Sequence, residues 1–281
     1  MYQKNFKESW KLLFKNLELF VPDTVFYIAN LIFAVFILNQ LGLVNLLTSS
    51  QDLVYSKDAL IEFLSSLDPV FFVEAIFYFI LFFVVMFLTG SGTDVAKFYM
   101  IRQLLLKKKI NFSDAFARGA REFYFRYLGL KIIRFLIFII PMLLFYKIMG
   151  YFVPAPELFL EALLSKAILL IIALLLSLPF IIFFTLSFYF SEAALFLQKL
   201  TIKDSLKNSY RFMRENFLPL IFTMLIILAV NIFVSLFIEI IGMLVTSIII
   251  NLLSFIALII TALWADLFTF SVYSELEKIK H

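Results

Sequence analysis

Residues 217–241 read FLPLIFTMLIILAVNIFVSLFIEII, an apolar stretch in which Glu239 is the only charged residue. A helix needs about 20 such residues to cross a hydrocarbon core about 30 Å thick. The stretch does not alternate between apolar and polar residues, as a strand of a membrane barrel does. It therefore predicts a membrane-spanning α-helix and sets the pattern to look for in the rest of the chain.

Similar windows recur along the whole sequence. With the first stretch they number six: Phe26–Val44, Pro69–Leu88, Leu128–Met149, Ala167–Phe190, Phe217–Ile241 and Met243–Phe270. The sequence therefore predicts an all-α integral membrane protein with about six transmembrane helices, folded as one polytopic domain over residues 1–281. The cluster Gly90-Ser91-Gly92-Thr93 is expected to break the helix at the end of the second span, since Gly and Ser often interrupt helices.

The composition supports a membrane protein and disfavours an enzyme. Of the 281 residues, 63% are hydrophobic and 16% are charged, whereas soluble domains have about 45–50% and about 25%. The chain has no cysteine, and His281 is its only histidine. Because thiol and imidazole chemistry are excluded and no nucleophile is paired with a base, we expect no catalytic residue, cofactor or metal site.

The charges between the spans predict the orientation. Lysine and arginine collect in residues 4–15, 97–134, 199–214 and 278–280, whereas the other connections carry mainly acidic residues. Basic residues accumulate in short cytoplasmic loops. The sequence thus predicts a multi-pass protein of the cell membrane with both termini in the cytoplasm. Its basic side would face the anionic lipids of the inner leaflet or a protein partner rather than a nucleic acid.

A helical pattern recurs ahead of the odd-numbered spans. Apolar residues follow the spacing i, i+4, i+7, i+11, which is one face of an α-helix. The three sets are Phe6, Trp10, Leu13 and Leu17; Phe116, Ala120, Phe123 and Tyr127; and Leu206, Tyr210, Met213 and Phe217. The small residues Ser9, Gly119 and Ser209 coincide in the same register. We interpret the pattern as a threefold internal repeat. Its units are approximately 1–90, 91–195 and 196–281, each an amphipathic helix followed by a transmembrane hairpin.

The charged faces of these segments are candidate lipid-surface sites. They carry basic residues at Lys7, Lys11, Arg121, Lys207 and Arg211. Asn111 with Asp114, and Thr201 with Asp204, resemble capping pairs at helix starts. A basic helix with an aromatic face can lie in the headgroup layer. The alternative is an extension of the transmembrane helix that follows, because both arrangements are amphipathic.

A resemblance to known proteins rests on four short stretches. They are Ser191-Glu192, Asp204–Tyr210, Glu215-Asn216-Phe217 and Tyr273–Leu276. Together with the repeat, they resemble uncharacterised prokaryotic multi-pass proteins that are similar to the membrane domain attached to some glycerophosphodiester phosphodiesterases. The resemblance implies a six-helix membrane domain. It implies no catalytic residues, because the phosphodiesterase activity of such proteins belongs to a separate soluble domain.

Polar residues inside the spans are the other candidate sites, since a charge in the bilayer is costly and often functional. The candidates are Asn30, Glu74, Asn231, Glu239, Asn251 and Asp266. We expect Glu74 to pair with Lys147, and the asparagines to link neighbouring helices. Asp94, Glu192 and Asp266 lie at a similar depth to Lys131 and Arg134. These charges can pair or reach the interface, or they can form a path for a substrate or proton.

Two functions remain open from the sequence. The first is a non-enzymatic membrane protein that organises lipid or docks a partner through its basic face. The second is a transporter or permease subunit, which the internal repeat favours but the lack of Gly-rich broken helices disfavours. A polar cavity lined by Asn30, Glu74 and Asn231 would favour transport.

Overall fold

A computed structural model describes residues 1–41, 69–150, 159–242 and 247–277. These residues are almost entirely helical. The elements are α1 (Tyr2–Lys15), a 3₁₀ turn (Leu17–Leu19), α2 (Phe20–Gln40), α3 (Pro69–Leu105), α4 (Phe112–Gly150), α5 (Phe159–Phe188), α6 (Ser191–Leu197), α7 (Ile202–Glu215), α8 (Phe217–Gly242) and α9 (Ser247–Leu276).

Within the described ranges, six helical stretches are long and apolar enough to cross a membrane. They are Leu17–Gln40, Val70–Leu105, Phe112–Ile148, Leu174–Leu197, Phe217–Gly242 and Ile249–Leu276. The prediction of an all-helical fold with six candidate membrane-spanning helices is therefore confirmed. Residues 42–44 and 243–246, which belong to two of the predicted windows, lie outside the described residues.

The predicted helix break at Gly90 is wrong, because α3 runs through it without interruption. A Cβ added to Gly90 would lie 2.9 Å from a ring carbon of Phe26. Ser91 donates its hydroxyl to the carbonyl of Phe87, at 2.6 Å. The small residues therefore allow α2 to approach α3 closely, as small residues do between membrane helices, and they do not end the helix.

The apolar core lies at the end of the bundle where α1, α7 and the first half of α4 meet α3, α6 and α9. We call this end the basic end, because it carries Lys7, Arg121 and Lys207. Its centre is aromatic: the ring of Phe98 lies 5.4 Å from that of Phe196 and 5.3 Å from that of Phe270. The middles of the spans, in contrast, expose large apolar side chains. This distribution suits helices whose outer surface is solvated by lipid.

The amphipathic segments differ in how they continue into the spans. Helix α1 ends at Lys15 and α7 ends at Glu215. The residues that follow them, Asn16 and Asn216, both have φ −128° and leave the helical region. The second segment has no such break and is the first part of α4. The first and third segments are thus separate helices, whereas the second is an extension of its span.

The predicted helix caps are confirmed. The side-chain oxygen of Asn111 accepts the backbone amide of Ser113 at 3.0 Å and that of Asp114 at 3.4 Å. The hydroxyl of Thr201 accepts the amide of Asp204 at 3.3 Å. Each cap satisfies an amide group at a helix start that has no partner within the helix.

The most buried face of each amphipathic segment is displaced by one residue from the predicted apolar face. Buried positions recur in the same register: Asn5, Ser9 and Leu13; Ala115, Gly119 and Phe123; Ser205, Ser209 and Met213. The contacts at the middle position are close. A Cβ on Gly119 would lie 3.2 Å from the Cβ of Tyr99, and the Ser209 hydroxyl donates to the carbonyl of Ser187 at 2.8 Å. Small side chains therefore set how closely these segments approach the spans.

Candidate functional site

A buried lysine at the basic end gathers carboxylates from three helices. The side chain of Lys97, on α3, is only 8% exposed. Its Nζ lies 2.9 Å from Asp266 on α9, 3.3 Å from Asp23 on α2 and 3.6 Å from Asp94 on α3 itself. Because a buried ammonium group is stable only when it is paired, this arrangement ties the three helices together.

The local sequence explains how these groups come together. Asp94 and Lys97 are three residues apart, so they share one face of α3. Asp23 lies in the first turn of α2, where the positive end of the helix dipole favours a carboxylate. Asp266 lies on the part of α9 that packs against α2 and α3. Three crossing helices therefore direct their acidic groups towards one cation.

A second lysine extends the network to α4. Oδ2 of Asp94 lies 3.1 Å from Nζ of Lys131 and accepts a hydrogen bond from the hydroxyl of Tyr127 at 3.0 Å. We call the five residues Asp23, Asp94, Lys97, Lys131 and Asp266 the charge cluster. With three carboxylates and two ammonium groups in their ionised forms, its formal charge is −1.

Further polar contacts join the same end of the bundle. Arg134 on α4 forms a short ion pair with Glu192 on α6. The hydroxyl groups of Tyr189 and Thr269 are 3.1 Å apart. With the charge cluster, these contacts link α2, α3, α4, α6 and α9. The basic end is thus held by both a packed aromatic core and a connected set of ion pairs.

Aromatic faces also surround the two lysines of the cluster. Nζ of Lys97 lies 5.3 Å from the ring centre of Phe98, and Nζ of Lys131 lies 5.3 Å from that of Phe87. Both distances are within the range of cation–π attraction. A lysine fills the space between the carboxylates of the cluster. Its geometry suits holding helices together rather than group transfer.

The structure brings together most of the inner charges that the sequence places at one depth. Asp266, a predicted intramembrane site, joins the cluster with Asp94 and Lys131. Sequence reasoning missed the other two members, Asp23 and Lys97, because it assigned Lys97 to a basic cytoplasmic stretch. The available signal was the apolar sequence around Lys97, since a lysine within a buried helical face needs a nearby acid.

Among the residues that the structure describes, the predicted asparagine links between helices are not formed. The Nδ2 atoms of Asn30 and Asn231 donate to carbonyls of their own helices, Phe26 at 2.7 Å and Ile227 at 3.1 Å. Asn251 is exposed. An amide that bonds to its own helix satisfies itself without a neighbour, which explains why membrane asparagines often add little to helix association.

The expected pairing of Glu74 with Lys147 is wrong in this structure. Both side chains are exposed near the opposite end of the bundle, and no ion pair between described residues joins them. Their sequence positions give a similar depth but not the direction in which each side chain points. Glu239 is exposed as well, and it borders a groove of about 750 Å³ between α8 and α9.

The candidate lipid-surface residues are all on the outside of the molecule. The exposed residues are Lys7, Lys11, Arg121, Lys207 and Arg211. Arg211 is held in place by a hydrogen bond to Asn208 at 2.8 Å and by Glu277 at 3.6 Å. The other four basic residues form no ion pair among the described residues, so their charged groups can meet a charged surface at the basic end.

No protein-family model, curated protein or solved structure matches this chain. The resemblance to the membrane domain of glycerophosphodiester phosphodiesterases therefore stays a prediction.

Proposed function

We propose that this chain is a non-enzymatic cell-membrane protein that binds and organises anionic lipid through its basic end. In this proposal both termini lie in the cytoplasm, and the basic end faces the inner leaflet. One observation carries it: exposed basic residues alternate with exposed large apolar residues around the same end of the bundle. That combination suits neither water nor the hydrocarbon core, but it suits the headgroup layer between them.

The junction of α1 and α2 shows the combination clearly. Lys11 and Lys15 are exposed there, and so are Phe14 (60%) and Leu17 (66%). The junction of α7 and α8 repeats it, with Arg214 beside Phe217 and Leu218. On α4, Phe125 is 81% exposed next to Arg126. Each place offers ammonium or guanidinium groups for phosphates and an apolar group for the upper acyl chain.

We further propose that the three amphipathic segments are equivalent units of a repeat. The buried positions in common register support this. So does the packing order: α1 packs on α9, the first part of α4 packs on α3, and α7 packs on α5 and α6. Each segment thus meets the even-numbered span of the preceding unit, with the first unit closing onto the last. A ring of this kind would present three basic faces around one end.

The structure suits a transporter less well than a lipid-binding protein, although one groove supports transport. The groove between α8 and α9 is lined by polar residues that include Asn231, Glu239, Ser254 and Thr261. Asn30 and Glu74 are not among its lining residues. The hydroxyls of Ser254 and Thr261 also donate to carbonyls of α9. A solute would find few free polar groups there, so lipid organisation remains the better proposal.

Reconstitution of the full chain into vesicles tests the proposal. Self-quenching of a labelled phosphatidylglycerol measures lipid clustering in phosphatidylcholine vesicles that contain phosphatidylglycerol. We expect quenching that weakens at high salt, because exposed charges are screened. The variant Lys7→Gln/Lys11→Gln/Lys207→Gln should lose much of it, since each basic residue contributes about 1 kcal/mol near an anionic surface.

The control is Lys147→Gln, which removes one positive charge at the opposite end of the bundle. It should leave lipid clustering unchanged. Equal quenching by the triple variant and the unchanged chain, or equal quenching with a labelled neutral lipid, would overturn the proposal.

A further inference from the structure

A cleft of about 450 Å³ lies where the end of α1 meets the connection between α3 and α4. Its lining includes Lys15 at the end of α1, Glu18 in the 3₁₀ turn, and Lys108 and Lys109 in the connection between α3 and α4. These two parts of the chain are far apart in the sequence, so the fold itself brings the three lysines to one place. We call this feature the lysine cleft.

Two helix ends build the walls of the lysine cleft. Helix α1 stops at Asn16, whose Nδ2 donates to the carbonyl of Leu12 at 2.7 Å. Helix α3 ends in a Schellman motif, in which the amide of Lys107 donates to Leu104 and that of Lys108 to Gln103, both at 2.9 Å. Lys107 has φ 53°, the left-handed conformation that glycine usually adopts there. The backbone on both sides of the cleft is thus held by hydrogen bonds.

The lysine cleft has an excess of positive charge. Lys15, Lys108 and Lys109 are exposed, and none of them takes part in an ion pair among the described residues. Glu18 supplies one carboxylate, so three ammonium groups and one carboxylate leave a formal charge of +2. Like charges close together repel each other, and an anion that carries two charges would relieve this repulsion.

The position of the cleft indicates the kind of anion. The first membrane-spanning stretch begins at Leu17, which lines the cleft together with Phe14. Both apolar side chains are largely exposed. A ligand in this place would meet cationic groups on one side and an apolar surface at the membrane boundary on the other. Phospholipids have this combination, and basic pockets beside membrane helices bind their headgroups.

We propose that the lysine cleft binds a phospholipid whose headgroup carries two phosphates. The phosphates pair with Lys15, Lys108 and Lys109, and the start of the acyl chains contacts Phe14 and Leu17. This inference rests on the proposed lipid-binding function of the basic end. It adds one specific headgroup site to a surface that otherwise attracts anionic lipids without distinguishing between them.

The test uses cardiolipin, which has two phosphates, and phosphatidylglycerol, which has one. Native mass spectrometry of the purified full chain gives an apparent Kd for each lipid, with phosphatidylcholine as the neutral reference. We expect the chain to prefer cardiolipin over phosphatidylglycerol at equal total charge. The variant Lys15→Gln/Lys108→Gln/Lys109→Gln should abolish this preference. It should also weaken cardiolipin binding by roughly a hundredfold, since each lysine contributes about fivefold.

The matched control is Lys7→Gln/Lys11→Gln/Lys207→Gln, which removes the same charge from the exposed faces of α1 and α7. It should weaken binding of both anionic lipids alike and keep the preference for cardiolipin. Thermal unfolding of each variant confirms that it is folded before the lipids are compared.

Four outcomes would overturn the inference. If the chain lacks the preference, or if the cleft variant keeps it, the lysine cleft is not the site, while the proposed lipid-binding function stands as long as anionic lipids are favoured over phosphatidylcholine. If all three lipids bind equally, the proposed function fails as well. If inorganic pyrophosphate displaces cardiolipin at comparable concentrations, the cleft recognises free phosphate groups and not a lipid.

Discussion

Replacing Lys97 by methionine should destabilise the protein strongly. The change keeps most of the side-chain volume and removes the charge that lies between 2.9 and 3.6 Å from three carboxylates. Asp94 keeps a partner, because Lys131 lies 3.1 Å away. Asp23 and Asp266 lose the cation that compensates them at the basic end. The cost of the substitution therefore comes mainly from these two acids.

The size of the effect follows from the burial of the cluster. Removing one partner of a buried ion pair costs about 3–5 kcal/mol, because the remaining charge has no compensation. For a chain of this size, that corresponds to a fall in Tm of about 10 °C. The triple variant Lys97→Met/Asp23→Asn/Asp266→Asn leaves no unpaired charge at this position. It should recover most of the loss, since a neutral replacement of a buried ion pair is often nearly as stable as the original.

Thermal unfolding of the full chain in detergent micelles measures these effects. Trp264 is fully buried and stacks on Trp10 with ring centres 5.3 Å apart, so tryptophan fluorescence reports on the basic end directly. The matched control is Lys199→Met, which breaks a half-exposed pair with Glu122 at 2.5 Å and should cost under about 1 kcal/mol. The reasoning is refuted if Lys97→Met costs no more than the control, or if the triple variant recovers nothing.

Three further predictions concern packing, backbone and orientation. Gly119→Leu should cost about 1–3 kcal/mol in an unfolding experiment by overfilling the contact between α4 and α3. Gly92→Ala should instead stabilise the protein by up to about 1 kcal/mol, because the added Cβ would lie 3.9 Å from its nearest neighbour, a ring carbon of Tyr124. Lys107→Gly should raise the stability by about 1 kcal/mol, because glycine adopts a positive φ without strain; a loss of stability would contradict this. In intact cells, an impermeant thiol reagent should label Gln40→Cys but not Lys203→Cys, and the reverse pattern would invert the proposed orientation.

Hydropathy was enough to predict the spans, because the number of apolar residues that cross a bilayer is a one-dimensional property of the sequence. Local hydrogen bonding was predictable for the same reason. The caps at Asn111 and Thr201 involve residues only two or three positions away. Helix α3 was predicted too short, since Gly90 resembles a break until the close approach of Phe26 is known. A glycine in a helical sequence can end the helix or allow another helix to approach closely, and only the position of the neighbouring helix distinguishes the two.

The charge cluster was only partly predictable, because sequence position gives the depth of a side chain and not its direction around the helix. Depth was enough to group Asp94 with Lys131 and Asp266. Direction decided that Lys97 points inwards to Asp266, 2.9 Å away. It also decided that Glu74 and Lys147 point outwards and do not meet. A lysine within an apolar stretch, such as Lys97 between Ala96 and Phe98, indicates such a cluster better than the number of charges in a loop does.

The two functions that the sequence left open make opposite demands on the charge cluster. A transporter must open a path through the bundle, so its intramembrane charges need a state in which they face water or a solute. A protein that organises lipid needs a rigid end, because side chains that are already held in place lose less entropy when they bind. In this structure Lys97 is enclosed by carboxylates from α2, α3 and α9, and the ion pair of Arg134 with Glu192 fixes α4 to α6. Opening such an end would break several ion pairs at once, and each lost pair would cost several kilocalories per mole of stability. Keeping it closed holds the lysine cleft and the basic faces where lipid headgroups would meet them.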